Sequence, residues 1–179
     1  KKMKGRHHSH WLMPCPEDGA LLQTMINELA RRHDGPVFPP HLTLYAGPAS
    51  SDEASRQLLE SLRSVQVPKR LAVTGLDATA RYTMTLFLRC RPDPKLLALH
   101  DFIRQHAPPS EYRLDPHLSL LYADLPLSTK QDLAHELARP LKEIRFDRIR
   151  IVEHPSPVQS QEDIADFQDL AEVIFHQQP

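Results

Sequence analysis

The sequence has almost no net charge: 22 Lys and Arg stand against 23 Asp and Glu in 179 residues, leaving −1 with histidine neutral. Without a basic excess there is no long-range field to capture a duplex through its phosphates, so duplex DNA is excluded as a partner, whereas a nucleotide or an RNA end is not. No apolar run approaches the ~20 residues of a membrane-spanning helix, and no membrane contact is expected. Cysteine is nearly absent. Cys15 and Cys90 are the only two, far from the density of a secreted disulfide scaffold, so two unpaired, inert thiols in a reducing, cytoplasmic setting are expected. Also missing are HExxH, CxxC and comparable spacings, so the eleven histidines do not make a metal site, and neither metal nor cofactor is expected. The start is basic and polar, without the apolar segment of a secretory signal. Residues 1–8 are expected to be flexible or vector-derived, and His7 and His8 receive no functional reading. The 40% hydrophobic content suits a core that needs no crosslink, with residues 1–179 forming one monomeric domain.

What the sequence does contain is a repeat. Pro40-His41-Leu42-Thr43-Leu44-Tyr45 and Pro116-His117-Leu118-Ser119-Leu120-Leu121-Tyr122 are near-copies 76 positions apart. In an extended strand, alternate side chains share a face, so His41 and Thr43 point one way and Leu42 and Leu44 the other, with His117 and Ser119 repeating the pattern. Each copy leads into a turn and a capping-box helix: Ser50 stands three before Glu53, opening a helix to about Arg63, and Ser128 stands three before Gln131, opening one to about Ala138. Helical spacing also marks 17–33 and 94–105, and strands are expected at 9–13, 69–78, 82–89, 142–153 and 169–175, with 155–163 a polar loop. Strands and helices without strict alternation predict an α+β fold with mostly antiparallel sheet. A duplication would set two similar lobes around a cleft, helices outside, with a histidine strand near the middle of each.

Histidine is the side chain whose pKa lies nearest neutrality, so a pair supplies one base and one acid at the same pH. Thr43 and Ser119 would donate hydrogen bonds to phosphate oxygens, where charge grows in the transition state. A cyclic phosphodiester suits such a site: one histidine deprotonates water and the other protonates the departing ribose oxygen. Alternation puts Tyr45 on the His41 face, lining the cleft. It puts Tyr122 on the wrong face unless the strand bulges. Trp11 is a flat surface for a base or a packing residue, and His100 and His106 are structural or solvent-facing.

At these motifs the chain resembles the 2H phosphoesterase superfamily, and is similar to the plant and fungal cyclic phosphodiesterases that act on ADP-ribose 1″,2″-cyclic phosphate and nucleoside 2′,3′-cyclic phosphates. The resemblance runs from Ser9-His10-Trp11-Leu12-Met13-Pro14 to the last strand. It implies a bilobal fold with pseudo-twofold symmetry, no metal, and hydrolysis to a 2′-type monoester. It also implies that His117 is the base and His41 the acid, that Thr43 and Ser119 hold phosphate, that Tyr122 contacts it, and that Trp11 lines the nucleoside side. An enzyme of RNA ends, ligase-like or 3′-trimming, and a nucleotide-binding module without turnover are the alternatives.

Overall fold

Leucines on one face of each motif strand need helices to cover them, and the computed structural model, which describes residues 4–175, supplies that cover. The chain runs β1 (Gly5–Pro14), α1 (Pro16–His33), β2 (Leu42–Pro48), α2 (Asp52–Ser61), β3 (Arg70–Asp77), β4 (Leu86–Cys90), α3 (Pro94–His106), β5 (His117–Leu121), α4 (Leu127–Glu136), β6 (Glu143–Ser156), α5 (Gln161–Ala165) and β7 (Gln168–Ile174). Strand, helix, strand, helix, strand therefore occurs twice, as β1 to β3 and as β4 to β6. The sheet is antiparallel, in the order β1-β2-β5-β4-β3-β6-β7, with β1 also bonded to β6. Strands β7, β6, β1 and β2 make one lobe and β5, β4 and β3 the other. The lobes meet where Leu42 pairs with Leu118. They meet again at β6, whose first residues pair with β3 before the strand runs along β1.

Helix α1 buries Leu22, Ile26 and Leu29 at helical spacing and carries Glu17 and Asp18 in its first turn and Arg31, Arg32 and His33 in its last, matching the helix dipole at both ends. It packs on β5, while α3 packs on β2, so each helix braces the motif strand of the other lobe. Leu42, Leu44, Leu118 and Leu120 are fully buried, each burial stabilising by roughly 1.5–3 kcal/mol. Asp34 ends α1 in the left-handed conformation, φ 53°, and the chain then passes so close to β5 that a Cβ on Gly35 would stand 2.6 Å from the Tyr122 carbonyl oxygen. Only glycine fits that approach.

Several expectations are corrected. Gly5 to His8 form the start of β1, paired with β6 from Gly5 onward. Lys1 to Met3 lie outside the described residues. The first capping box is replaced by a simple N-cap one residue on, where Ser51, not Ser50, accepts from the Ala54 amide. The second does not form, since α4 already begins at Leu127, behind Pro126, and Ser128 lies inside it. Residues 82–84 make a 3₁₀ turn instead of a strand start, closed by the Thr79 and Thr85 hydroxyls donating to the Met84 and Tyr82 carbonyls. Strand β6 runs on to Ser156, and a short helix occupies 161–165 of the expected loop.

Candidate active site

Each motif histidine follows a proline, and each is held in the same way. His41 Nδ1 lies 2.7 Å from the Pro39 carbonyl oxygen and His117 Nδ1 lies 2.6 Å from that of Asp115. A carbonyl only accepts, so Nδ1 carries the hydrogen in both rings and Nε2 is left with its lone pair. Both imidazoles line one cleft of about 530 Å³, together with Thr43, Ser119 and Tyr122. The structure thus brings together the two histidines and both hydroxyls.

Beyond the motifs, alternation breaks in both strands at the same place. In β2, His10 of β1 pairs with Tyr45 and Trp11 with Thr43, leaving Leu44 as an extra residue. In β5, Leu86 pairs with Leu121 and Phe87 with Ser119, leaving Leu120 over. Each is a β-bulge, two residues opposing one, and each flips the face of the residues after it. Tyr45 is therefore turned away from the cleft, contrary to expectation: it is 1% exposed and donates its hydroxyl to the Pro108 carbonyl at 2.6 Å. The same flip carries Tyr122 into the cleft, so five after His117 is the position equivalent to Ala46, which also lines it. The two motif tyrosines are not counterparts.

The environments of the two histidines differ. His41 lies flat on Trp11, ring centroids 3.6 Å apart and planes 13° from parallel. Burial, with smaller repulsion from His117, His154 and Arg150 outweighed in part by the Pro39 hydrogen bond, takes its pKa down to about 3. His117 meets the edge of Phe87, 5.2 Å between centroids. Its pKa is lowered by burial, but Asp115 opposes the shift. Trp11 is 3% exposed, covered by His41 on one face and tilted against Phe167. It is thus a wall that orients a histidine, and offers no open ring to a base. Tyr122 stacks on Phe38 at 3.9 Å, and burial raises its pKa, keeping the phenol protonated as a donor. The Ser119 hydroxyl donates to the Thr83 carbonyl at 2.7 Å.

Sequence reasoning missed a third cleft histidine, His154. Its Nδ1 donates to the Pro155 carbonyl and its Nε2 accepts from Ser9, 2.6 Å away, so neither nitrogen is free for chemistry. Arg81, Tyr112 and Arg113 also line the cleft unannounced, because they sit on turns and loops that carry no periodicity, and Tyr82 does so from the 3₁₀ turn that replaces the expected strand start. His100 and His106 are bonded to the Leu44 and Phe102 carbonyls, a structural use. Cys15 and Cys90 are unpaired, and burial pushes the Cys90 thiol up to about 12. Among the described residues, no three His, Cys, Asp or Glu side chains are grouped to hold a metal, and no helix is long and apolar enough to cross a membrane.

Residues 7–144 match a family profile described as cyclic phosphodiesterase-like protein. The chain belongs to that family. Within it, the cyclic phosphodiesterase of Arabidopsis thaliana is 23% identical over 152 residues, spanning 82% of this chain and 83% of its own. The fold of this cyclic phosphodiesterase-like protein is that of the 2H phosphoesterases. TT0787 of Thermus thermophilus superposes with a TM-score of 0.61 at 16% identity, covering 94% of this chain and 97% of its own. E. coli LigT complexed with ATP superposes with 0.59 at 16%, covering 97% and 99%. Membership of this family makes the protein a phosphoesterase.

Proposed function

We propose that the protein hydrolyses a small cyclic phosphodiester, a nucleoside 2′,3′-cyclic phosphate or ADP-ribose 1″,2″-cyclic phosphate, without metal, by paired-histidine acid-base catalysis. The observation that carries the reading is the duplicated Nδ1–H to carbonyl clamp, which leaves two Nε2 lone pairs on one cleft. One histidine takes a proton from water as its oxygen bonds to phosphorus. The bond from phosphorus to the 3′ oxygen breaks, and the other histidine gives that oxygen a proton, leaving a 2′-phosphate. Thr43 and Tyr122 hold the non-bridging oxygens as charge builds on them, and Ser119 joins them by turning its hydroxyl away from the Thr83 carbonyl to which it donates in the free protein.

Burial lowers both histidines, but at His117 Asp115 opposes the shift, whereas full burial against Trp11 holds His41 neutral, so His117 is the readier of the two to take up the proton that an acid must give. That supports His41 as base and His117 as acid, the reverse of what the resemblance implies. The likeness to LigT bound to ATP supports a nucleotide-sized occupant. The site works in the cytoplasm, on a monomer, in this reading. The deciding experiment is turnover of a 2′,3′-cyclic mononucleotide in excess chelator, with the His117→Ala protein alongside. Clean conversion to the 2′-phosphate by the wild type alone is expected; activity that survives the substitution, or that needs added metal, would sink the mechanism.

A further inference from the structure

The two lobes hold their histidines with matching backbone bonds, yet only one of them sets charge behind the ring. In β4, Phe87 stands opposite Ser119 and Arg89, two residues on, stands opposite His117. In β1, Trp11 stands opposite Thr43, and the residue two on is Met13, buried and uncharged. The residue whose carbonyl takes the Nδ1 hydrogen differs in the same way: it is Asp115 for His117 and Pro39 for His41. One lobe therefore carries an arginine and an aspartate where the other carries a methionine and a proline.

Arg89 joins these positions. One guanidinium nitrogen donates to the Asp115 carboxylate at 2.9 Å and another to that of Asp77 at 3.1 Å, so the planar fork spans two anions. The guanidinium carbon lies 5.2 Å from the centre of the Phe87 ring, within cation–π range. Phe87 in turn meets the His117 ring, 5.2 Å between centroids and 67° between planes. Both supports of the imidazole, the residue whose carbonyl holds its hydrogen and the phenyl ring that sets its tilt, thus lean on one side chain. The backbone beneath is fixed as well: the Cys90 amide donates to the Pro116 carbonyl at 3.0 Å and the Thr74 hydroxyl to that of Arg89 at 3.2 Å. An isolated ion pair at a wet surface holds little, but three charges sharing one planar fork form a network that keeps its geometry.

We infer that Arg89 is a positioning residue for His117, fixing Asp115 and the Phe87 ring between which the imidazole is set, and neutralising the Asp115 carboxylate beside it. The inference rests on the hydrolase reading above. Arg89 stands behind the cleft lining and touches no substrate. The charges that act on His117 are Asp115 from its own loop, which favours the imidazolium, and Arg81 from the 82–84 turn and Arg89 from β4, which disfavour it. Arg113 is the further charge lining the cleft, while burial keeps His41, His154 and Tyr122 neutral there at neutral pH. Replacing Arg89 removes a repelling charge and leaves the Asp115 carboxylate unpaired, so the imidazolium gains on both counts.

The test follows the His117 ring by long-range proton–nitrogen NMR of the free protein, its signals assigned by their loss in His117→Gln. The Arg89 side chain is 40% exposed, so Arg89→Met opens no cavity in the core. In that variant the His117 titration midpoint should rise by about half a pH unit, the effect of one half-exposed neighbouring charge, and part of the ring should move its hydrogen from Nδ1 to Nε2. Asp115→Asn should move the midpoint the other way. Arg89→Lys, which keeps the charge but not the fork, should restore the midpoint and leave the tautomer mixed. Arg70→Met, which breaks the exposed pair with Glu143 on the same lobe, should change neither. On a nucleoside 2′,3′-cyclic phosphate, Arg89→Met should lose about tenfold in kcat with KM little changed, as a small misplacement of a reacting group does. The limb of kcat/KM that His117 governs should move up in pH with the NMR midpoint, and Arg89→Lys should recover part of the rate. A His117 midpoint and tautomer that ignore Arg89→Met, or that respond equally to Arg70→Met, would overturn the positioning role and leave the hydrolase intact. The expected NMR changes in a protein that turns over no cyclic phosphate would uphold the hold of Arg89 on His117, and the hydrolase reading alone would fail.

Discussion

His41 and His117 sit on equivalent strands, follow equivalent prolines and make the same Nδ1–H to carbonyl bond, yet they are not chemically alike. Trp11 and Phe87 occupy matching positions, one opposite Thr43 and the other opposite Ser119. The indole lies flat on His41, whereas the phenyl ring meets His117 edge-on. Where β5 places Tyr122 in the cleft, β2 has Ala46, and Tyr112 comes across from the other lobe to bond the strand at Thr43. In the free protein the Ser119 hydroxyl donates to the Thr83 carbonyl, whereas the Thr43 hydroxyl has no such bond among the described residues. A duplicated scaffold has thus kept the geometry of two imidazoles while changing what surrounds each, and an acid paired with a base needs that difference.

Removing either histidine should have the largest effect. His41→Ala and His117→Ala are each expected to lower kcat by about 10²- to 10⁴-fold, and the double variant should be little worse than either, because the two act on one proton circuit. Single losses that simply multiply would mean independent sites. The roles separate with a substrate whose 3′ bridging oxygen is replaced by sulfur, since a thiolate departs without a proton. His117→Ala should regain much of its rate on that compound and His41→Ala should not. Rescue of His41→Ala instead would restore the assignment implied by the resemblance.

Next in size are the oxygens that hold phosphate. Tyr122→Phe keeps the stack on Phe38 and removes one donor, so kcat should fall about tenfold, in line with a single charge-assisted bond at a partly open site, with stability nearly unchanged. An unchanged rate would make Tyr122 a packing residue.

Much of this is legible in the sequence, and the misses have a common cause. Leucines alternating with a histidine and a hydroxyl announce both strands and their faces, and the apolar spacing of Leu22, Ile26 and Leu29 announces α1. A bulge leaves no periodic trace, so strict alternation puts Tyr45 and Tyr122 on the wrong sides of their strands, although the offset of one residue between Leu44-Tyr45 and Leu120-Leu121-Tyr122 already hints that the tyrosines do not correspond. Arg81, Tyr112, Arg113 and His154 reach the cleft through tertiary approach alone. Trp11 does line the cleft, but its use there is invisible to the sequence, because stacking on His41 depends on how two strands pair.

The smallest effect tests the lobes on their buried side. His10 and Leu86 hold matching positions next to the two bulges, but His10 is 4% exposed and neither ring nitrogen has a partner among the described residues. Burial, helped by His8 and opposed only by the approach of the Tyr45 backbone, which falls short of hydrogen-bond geometry, takes its pKa to about 4. For a histidine lowered on folding, the unfolded chain binds the extra proton between its own pKa near 6.5 and the folded value, so stability is fully present above about pH 6.5 and is lost as pH falls toward 4. His41, at about 3, adds to the same slope. His10→Leu gives the first lobe the residue of the second. It should raise stability by about 1 kcal/mol at neutral pH, because two buried nitrogens no longer go unpaired. It should also lessen the fall in urea midpoint between pH 7 and pH 5, leaving the part due to His41 and to His7, His117 and His154, which burial also lowers. A destabilised variant with an unaltered pH slope would show instead that His10 is paired in solution, and that the lobes differ there by a hydrogen bond and not by a cost.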